Sequence, residues 1–295
     1  MLAINPKTCA IRDLHQYILG SITPRPIALV STVDKNGNPN LAPFSFFNGV
    51  SSNPPVLYLS VNLKPDGSQK DTLINIEKTG ELVINIVTYD MVRQMAITGV
   101  QFPSGTNEFH QSGLTPVTST VVKPFRVRES PVHFECKLKQ IIRMGNHAGA
   151  GNLIIVDVLK IHIQEDILDE NNRINPQKMG VVGRLGRSHY VRVSDSNIFT
   201  VVQPIMKIPI GYEQLPSSIK ASTILSANDI AQLAGLLSLP SRKDMEQYLS
   251  NDKNLHEILQ SKDKEENLHR YIQSLLASGE TEKAGMVAFL AIDKL

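Results

Sequence analysis

Valine divides this 295-residue chain in two. Residues 1–204 hold 22 valines and residues 205–295 hold one, Val287. Glycine follows the same partition, 14 before the boundary and four after it, while leucine is dense in the tail. A β-branched side chain is stiff at χ1 and packs well on a pleated surface, whereas leucine loses little rotamer freedom in a helix. The first part is therefore expected to be β-rich and the second helical. Segment 203–217, QPIMKIPIGYEQLPS, has three prolines and no helical period. It is expected to be extended and to lie against the first domain. The organisation that follows is a β domain over 1–204, a linker over 205–216 and a helical extension over 217–295.

Strand signals fill the first part. Pro26–Val33 is an apolar run that ends in DKNGNPN, where Asn36–Gly37 suits a tight hairpin. Leu41–Asn48 is expected to return antiparallel to it. Val56–Val61 and Leu82–Val87 are further strands, and Val132–Ile142 with Leu153–Ile163 form a long later pair. Short helices are expected over Thr72–Thr79, closed by Gly80, and over Met91–Thr98, closed by Gly99. Mostly antiparallel strands with few helices point to a barrel. No GxGxxG follows a strand, which leaves a dinucleotide-binding α/β fold without support.

The tail carries capping signals. Ser226 precedes Asp229 by three, with Ile230, Leu233 and Leu237 at helical spacing. Ser241 stands in the same relation to Asp244. Leu268, Ile272, Leu275 and Leu276 follow, and Thr281 opens a last helix. Four or five short helices are expected to cover a face of the barrel or of a dimer, being too thin for a robust core alone.

Composition narrows the function. A net charge of +2, and −2 over residues 205–295 (ten Lys/Arg against twelve Asp/Glu), argues against nucleic acid and anionic membrane as partners. Cys9 and Cys136 form no CxxC, and the eight histidines include no ligand-spaced pair, so no metal site is expected. No apolar run approaches a membrane span and the start does not read as a signal peptide, so a cytoplasmic protein is expected. Neither a GxSxG nor a Ser–His–Asp set can be argued.

The stretches PRPIALVST, NLAPFSFFNGVS, NPPVLYLSV and KDTLINIEKTGELVINIV, continued by SPVHFECKL, VDVLKIHI and VGRLGRSHY, resemble the flavin reductase-like family, which includes the flavoredoxins. The resemblance covers roughly residues 10–195. It implies a mainly β, Greek-key antiparallel FMN-binding split barrel with short helices, here with an added α-helical C-terminal extension. It further implies FMN, rather than FAD, as cofactor, NAD(P)H as reductant, and a homodimer with flavin near the interface.

On that footing the residues acquire roles. Ser31 and Thr32 would supply hydroxyls. Phe46, Phe47, Asn48, Gly49, Val50 and Ser51 would meet the flavin ring with backbone amides, a side-chain amide and a close backbone approach. Lys70, Asp71 and Thr72 open a helix whose N-terminus would receive the phosphate, with Asp71 as helix cap. Arg184 and Arg187, beside Tyr190, would meet a phosphate or the nicotinamide entry, and Arg25 a phosphate or an interface carboxylate. His147, in a GNH turn, would lie near flavin and nicotinamide. Three readings stand at this stage: an NAD(P)H-dependent flavin reductase, a flavoredoxin-like electron carrier with bound FMN, and a non-catalytic flavin-binding module.

Overall fold

The computed structural model describes residues 1–201 and 207–294, with the side chains of 291–294 left aside. The chain divides into two compact units, Met1–Phe199 and Thr200–Leu295. Part of the expected linker, 205–206, lies outside the described residues. Its remainder belongs to the helical unit: Ile210 and Gly211 donate to the carbonyls of Leu236 and Ala234, and Leu215 is core.

The first unit holds eleven strands: β1 (Ala28–Val33), β2 (Pro39–Phe44), β3 (Phe47–Ser52), β4 (Pro55–Ser60), β5 (Glu81–Ile86), β6 (Pro116–Val117), β7 (Arg126–Val127), β8 (Val132–Arg143), β9 (Asn152–Ile163), β10 (Val182–Arg184) and β11 (Tyr190–Arg192). Its helices are α1 (Ile11–Ser21), α2 (Asp71–Thr79), α3 (Val92–Thr98) and α4 (Glu108–Ser112). Seven strands form one antiparallel sheet in the order β2-β1-β5-β8-β9-β4-β3. All seven send residues into one cluster, including Val30, Phe44, Phe47, Leu59, Ile84, Cys136 and Ile154. A flat sheet cannot bring its first and last strands to a common core, so this one curls. Leu73 and Ile76 of α2 join that cluster. This is the expected split barrel.

The first strand is buried along its whole length. Ala28 and Val30 face the barrel core, while Leu29 packs with Leu41, Met91, Met95 and Phe109 beneath α3 and α4. Burial on both faces explains why the sequence here reads as an unbroken apolar run. The return strand differs from expectation. Leu41–Asn48 is broken at Ser45–Phe46, because β2 and β3 stand at opposite ends of the strand order. The hairpin turn also differs. Only Gly37 is left-handed (φ +87°), and the Asp34 carboxylate organises the loop by accepting from the Asn36 and Asn38 amides. Gly80 ends α2 at φ +70°, whereas Gly99 stays right-handed.

The second unit comprises α5 (Ser217–Lys220), α6 (Ala227–Ala234), α7 (Arg242–Asn251), α8 (Lys253–Gln260), α9 (Lys264–Ala277) and α10 (Thr281–Lys294). Ser226 and Asp229 form a reciprocal capping box, and Ser241 accepts from the Asp244 amide. The expectation of a thin, coreless tail is corrected. Leu233, Leu255, Ile272, Ala284, Val287 and Ala288 are buried in a cluster drawn from this unit alone. Small residues on α10 allow the close packing: a Cβ at Gly285 would come within 2.6 Å of Leu236 Cδ1. Among the described residues no helix is long and apolar enough to cross a membrane.

Candidate functional site

The two edges of the sheet are treated differently. Helices α3 and α4 pack on β2, and the buried Glu108 carboxylate accepts the Leu41 amide at 2.9 Å. Burial, the largest influence, raises the Glu108 carboxyl above its ordinary value. The β3 edge is left open. Its first residue, Phe47, is core, but Asn48, Gly49, Val50 and Ser51 are exposed, Val50 at 58%. Asn48 Oδ1 accepts the Gly49 amide at 2.8 Å, and Ser51 Oγ donates to the Pro54 carbonyl at 2.5 Å. Phe46 is half-buried, so of the adjoining phenylalanines the second is the core residue.

Helix α2 is fixed by a buried polar network. Asn40 Nδ2 donates to Thr32 Oγ1 (3.3 Å) and Thr72 Oγ1 (3.0 Å), and Asn75 Nδ2 donates to Thr32 Oγ1 (3.1 Å). Four residues from β1, β2 and α2 thus hold the helix N-terminus against the barrel. Thr32 and Thr72, expected as ligand hydroxyls, are accepting in this network. Ser31 faces the other side of β1, fully buried, with no hydrogen-bond partner for Oγ among the described residues. Asp71, expected as the cap, is the first helical residue, while Lys70 stands at the N-cap with extended backbone and no side chain closing the turn. The first intrahelical bond runs from the Leu73 amide to the Lys70 carbonyl. The amides of Asp71 and Thr72 precede it, as the first orphan donors of a helix do.

Lys70 itself is half-buried. Its Nζ lies 5.4 Å from the centre of the Phe44 ring, at the end of β2 next to the β3 crossing. Burial first, and then the neighbouring Lys64 charge, hold its amine below the ordinary lysine value. Neither lysine makes an ion pair among the described residues. A desolvated lysine at an uncapped helix N-terminus, repelled by a second lysine, is an arrangement that favours an anion.

The β10–β11 hairpin approaches from another side. Arg25 is 4% exposed and bridges backbone to backbone with Arg184. Its guanidinium donates to the carbonyls of Leu19 (2.5 Å), Ile22 (2.6 Å) and Leu185 (3.1 Å), and to Ser45 Oγ (3.4 Å). These acceptors leave Arg25 as a clamp of α1, the hairpin and the β2–β3 crossing, in place of the expected phosphate or carboxylate contact. Arg184 stacks on Tyr190 at 4.4 Å and donates to the Arg187 carbonyl at 2.5 Å. Arg187 is exposed, at φ +55°. His147 is exposed in the β8–β9 loop, its ring 2.9 Å from where a Cβ on Gly145 would stand. Cys136 is core, and burial pushes its thiol far above the ordinary value, which makes it inert.

The structure thus brings Lys70, Asp71, Thr72 and Thr32 together at α2, and places the exposed stretch 48–51 on the open edge. Phe44, Ser45 and Phe46 join these regions to the Arg25–Arg184 side. Sequence reasoning missed Asn40, Asn75, Glu108 and Lys64. Asn40, Asn75 and Glu108 have partners on other elements and Lys64 acts on Lys70 through charge, and no spacing pattern in the sequence records either.

Residues 19–178 match the model of the flavin reductase like domain. An uncharacterized protein of Aquifex aeolicus is 44% identical over 179 residues, which cover 61% of this chain and 89% of that protein. The crystal structure of nitrilotriacetate monooxygenase component B from Bacillus cereus superposes with a TM-score of 0.64 at 33% identity, over 68% of this chain and 98% of that one. Flavoredoxin of Desulfovibrio vulgaris shares the fold with a TM-score of 0.53 at 22% identity, over 63% of this chain and 93% of that one.

Proposed function

The chain belongs to the flavin reductase-like domain family, and from that premise we propose that it is an FMN-dependent oxidoreductase, reduced by NAD(P)H and passing electrons to a separate acceptor. One observation carries the reading: Lys70 stands half-buried at the N-terminus of α2, feels the charge of Lys64, and makes no ion pair among the described residues. A phosphate relieves both the desolvation and the mutual repulsion of these amines, and the leading amides of α2 add donors. A single phosphate suffices for FMN, and no adenine-binding motif accompanies it.

Bound FMN supplies the hydride- and electron-accepting chemistry. This chain's residues bind and orient it. Lys64, Lys70 and the amides of Asp71 and Thr72 hold the phosphate. The network through Thr32, Asn40, Thr72 and Asn75 fixes those groups in place. Asn48, Gly49, Val50 and Ser51 offer donors, acceptors and an approachable backbone on the open edge, with Phe46 beside them and Phe47 anchoring the strand. Ser31, buried on the face of β1 opposite Thr32, is not among the groups proposed to touch the cofactor. Arg184, Arg187 and His147 serve the nicotinamide side. A homodimer that covers the β3 edge, in the cytoplasm, belongs to the same proposal.

The experiment is an absorption spectrum of the purified full chain, identification of any released chromophore, and titration with FMN. The expected result is one FMN per chain with quenched fluorescence. Lys70→Met should weaken binding about tenfold, equivalent to ~1.4 kcal/mol. The sign of the pH dependence follows from the depressed Lys70 amine. It loses its charge at lower pH than an ordinary lysine, so FMN affinity should fall early on the alkaline side, and less so in Lys70→Met. Steady-state oxidation of NADH or NADPH separates a reductase from an electron carrier. The absence of both quenching and a shifted melting curve at saturating FMN would overturn the proposal.

A further inference from the structure

At the far end of the β8–β9 hairpin from α2, His133 and His162 face each other across the strands, their ring centres 6.2 Å apart. Arg143, at the opposite end of β8, is the residue that pairs with Glu77 of α2. At about 3.3 Å per residue the ends of β8 are roughly 35 Å apart along the strand. A cleft of about 590 Å³ opens at the histidine end, walled by Val117, Arg126, Arg128, His133, Ile161 and Ile163 with their neighbours. That size falls within the range of small-molecule sites.

We propose that this cleft is a second binding site, for a small monoanionic organic acid that also carries a hydrogen-bond donor.

The charge follows from what Glu135 already holds. Its fully buried carboxylate accepts from the Thr120 amide (2.8 Å), the Val121 amide (2.6 Å), the Thr120 hydroxyl (3.1 Å) and His162 Nε2 (2.6 Å). Arg126 donates through Nη2 to the Thr118 carbonyl at 3.0 Å, while its Nε stands 3.9 Å from the same carboxylate, beyond hydrogen-bond range, buried and with no hydrogen-bond partner among the described residues. Arg128 is exposed and makes no ion pair among the described residues. The Glu135 carboxylate balances the Arg126 charge at 3.9 Å, so the exposed Arg128 guanidinium, which has no ion-pair partner among the described residues, gives the wall its net positive charge.

The donor requirement follows from a tautomer. His133 is 6% exposed, and its Nε2 lies 2.8 Å from the Val127 carbonyl. A carbonyl only accepts, so Nε2 carries the proton. Burial, the largest influence, holds the imidazole below its ordinary value and keeps the ring neutral. Nδ1 is therefore a bare lone pair, buried and without a partner among the described residues. An unsatisfied buried acceptor is costly, and it is met by a donor that arrives with a ligand. Val117, Ile161 and Ile163 supply the apolar walls for the body of that ligand, with Ile161 48% and Ile163 39% exposed.

The test titrates the full chain by calorimetry with 3-hydroxybenzoate, benzoate and 3-hydroxybenzamide, with and without FMN. The expected result is one site per chain for 3-hydroxybenzoate. Its affinity should exceed that of the uncharged amide about tenfold, the scale of one charge-assisted hydrogen bond. Arg128→Gln, an exposed change that spares the core, should remove most of that preference. The His133 Nδ1 resonance, followed by ¹⁵N NMR in the unaltered chain, should shift more with 3-hydroxybenzoate than with benzoate. The inference stands apart from the flavin reading, because FMN should not compete. It is overturned by no saturation at about 10 mM of any probe, by equal affinity for acid and amide, by an unchanged Arg128→Gln titration, by equal Nδ1 shifts, or by competition from FMN. Self-association that Arg128→Gln abolishes would likewise overturn it, by assigning the face to a second copy.

Discussion

His269 shows how one buried side chain can report on a whole unit. It is 4% exposed in the helical unit, with Nδ1 2.9 Å from Ser222 Oγ and Nε2 buried without a partner among the described residues. Ser222 is itself occupied, accepting the amides of Ile224 and Leu225 at 3.2 and 3.0 Å. Burial, opposed by the Glu265 charge, lowers the imidazole below its ordinary value. Folding therefore favours the neutral ring. The stability this contributes is fully present above the unfolded value near ~6.5, and it is lost progressively as pH falls below that. Urea unfolding followed by circular dichroism at pH 7.5 and 5.5 should show the unaltered chain losing more stability than His269→Asn. Equal losses would mean that the ring stays solvated in the folded state. The residue types in the local sequence NLHRY do not mark this histidine as buried; its spacing does. It sits one residue after Leu268 and three before Ile272, so the helical period alone exposes it to the core side.

Elements differ in how legibly they are written. The strands and the α2–Gly80 stop were readable because their signals are local: β-branched runs, turn residues and a glycine at the left-handed position. Helix α1 was overlooked although Ile11, Leu14 and Ile18 stand at helical spacing, and in the structure none of its residues is buried. The break between β2 and β3 was hidden because SFFNGVS continues the strand-like composition of NLAPF; only the strand order separates them. The network at α2 was hidden for a related reason. Thr32, Asn40, Thr72 and Asn75 span up to 43 residues of sequence and meet only after the barrel curls. It is also where element packing and site geometry become one question. Thr32→Val keeps the shape but removes the acceptor shared by the Asn40 and Asn75 amides. Asn40 retains Thr72, so one buried donor is stranded outright. The expected cost is about 2 kcal/mol of stability, read from urea unfolding. Because α2 loses a tether at its N-terminus, FMN affinity should fall as well, although Thr32 need not touch the cofactor. A loss of stability with unchanged FMN affinity would separate the helix position from the site.

At the scale of the whole molecule, the valine partition corresponds to two cores that share no residue. One is the barrel cluster with its neighbour beneath α3 and α4; the other is drawn wholly from residues beyond 200. The Aquifex relative matches over 89% of its own length yet only 61% of this chain, and the Bacillus cereus structure over 98% against 68%. Those proteins have little length left for a counterpart of the helical unit. A core that is complete in itself, at a length relatives manage with, predicts that residues 1–199 fold alone. Curling the sheet needs nothing from the tail, since every residue of both barrel clusters lies before position 199. The proposed phosphate groups, Lys64, Lys70 and the first amides of α2, lie in the same span. A protein ending at residue 199 should therefore keep a cooperative thermal transition and bind FMN within about threefold of the full chain, a difference below ~1 kcal/mol. If the shortened protein instead unfolds or loses FMN by more than tenfold, the helical unit contributes to the site itself. Lys70→Met in the full chain would then weaken binding by less than the truncation does, which distinguishes a shared site from a broken fold.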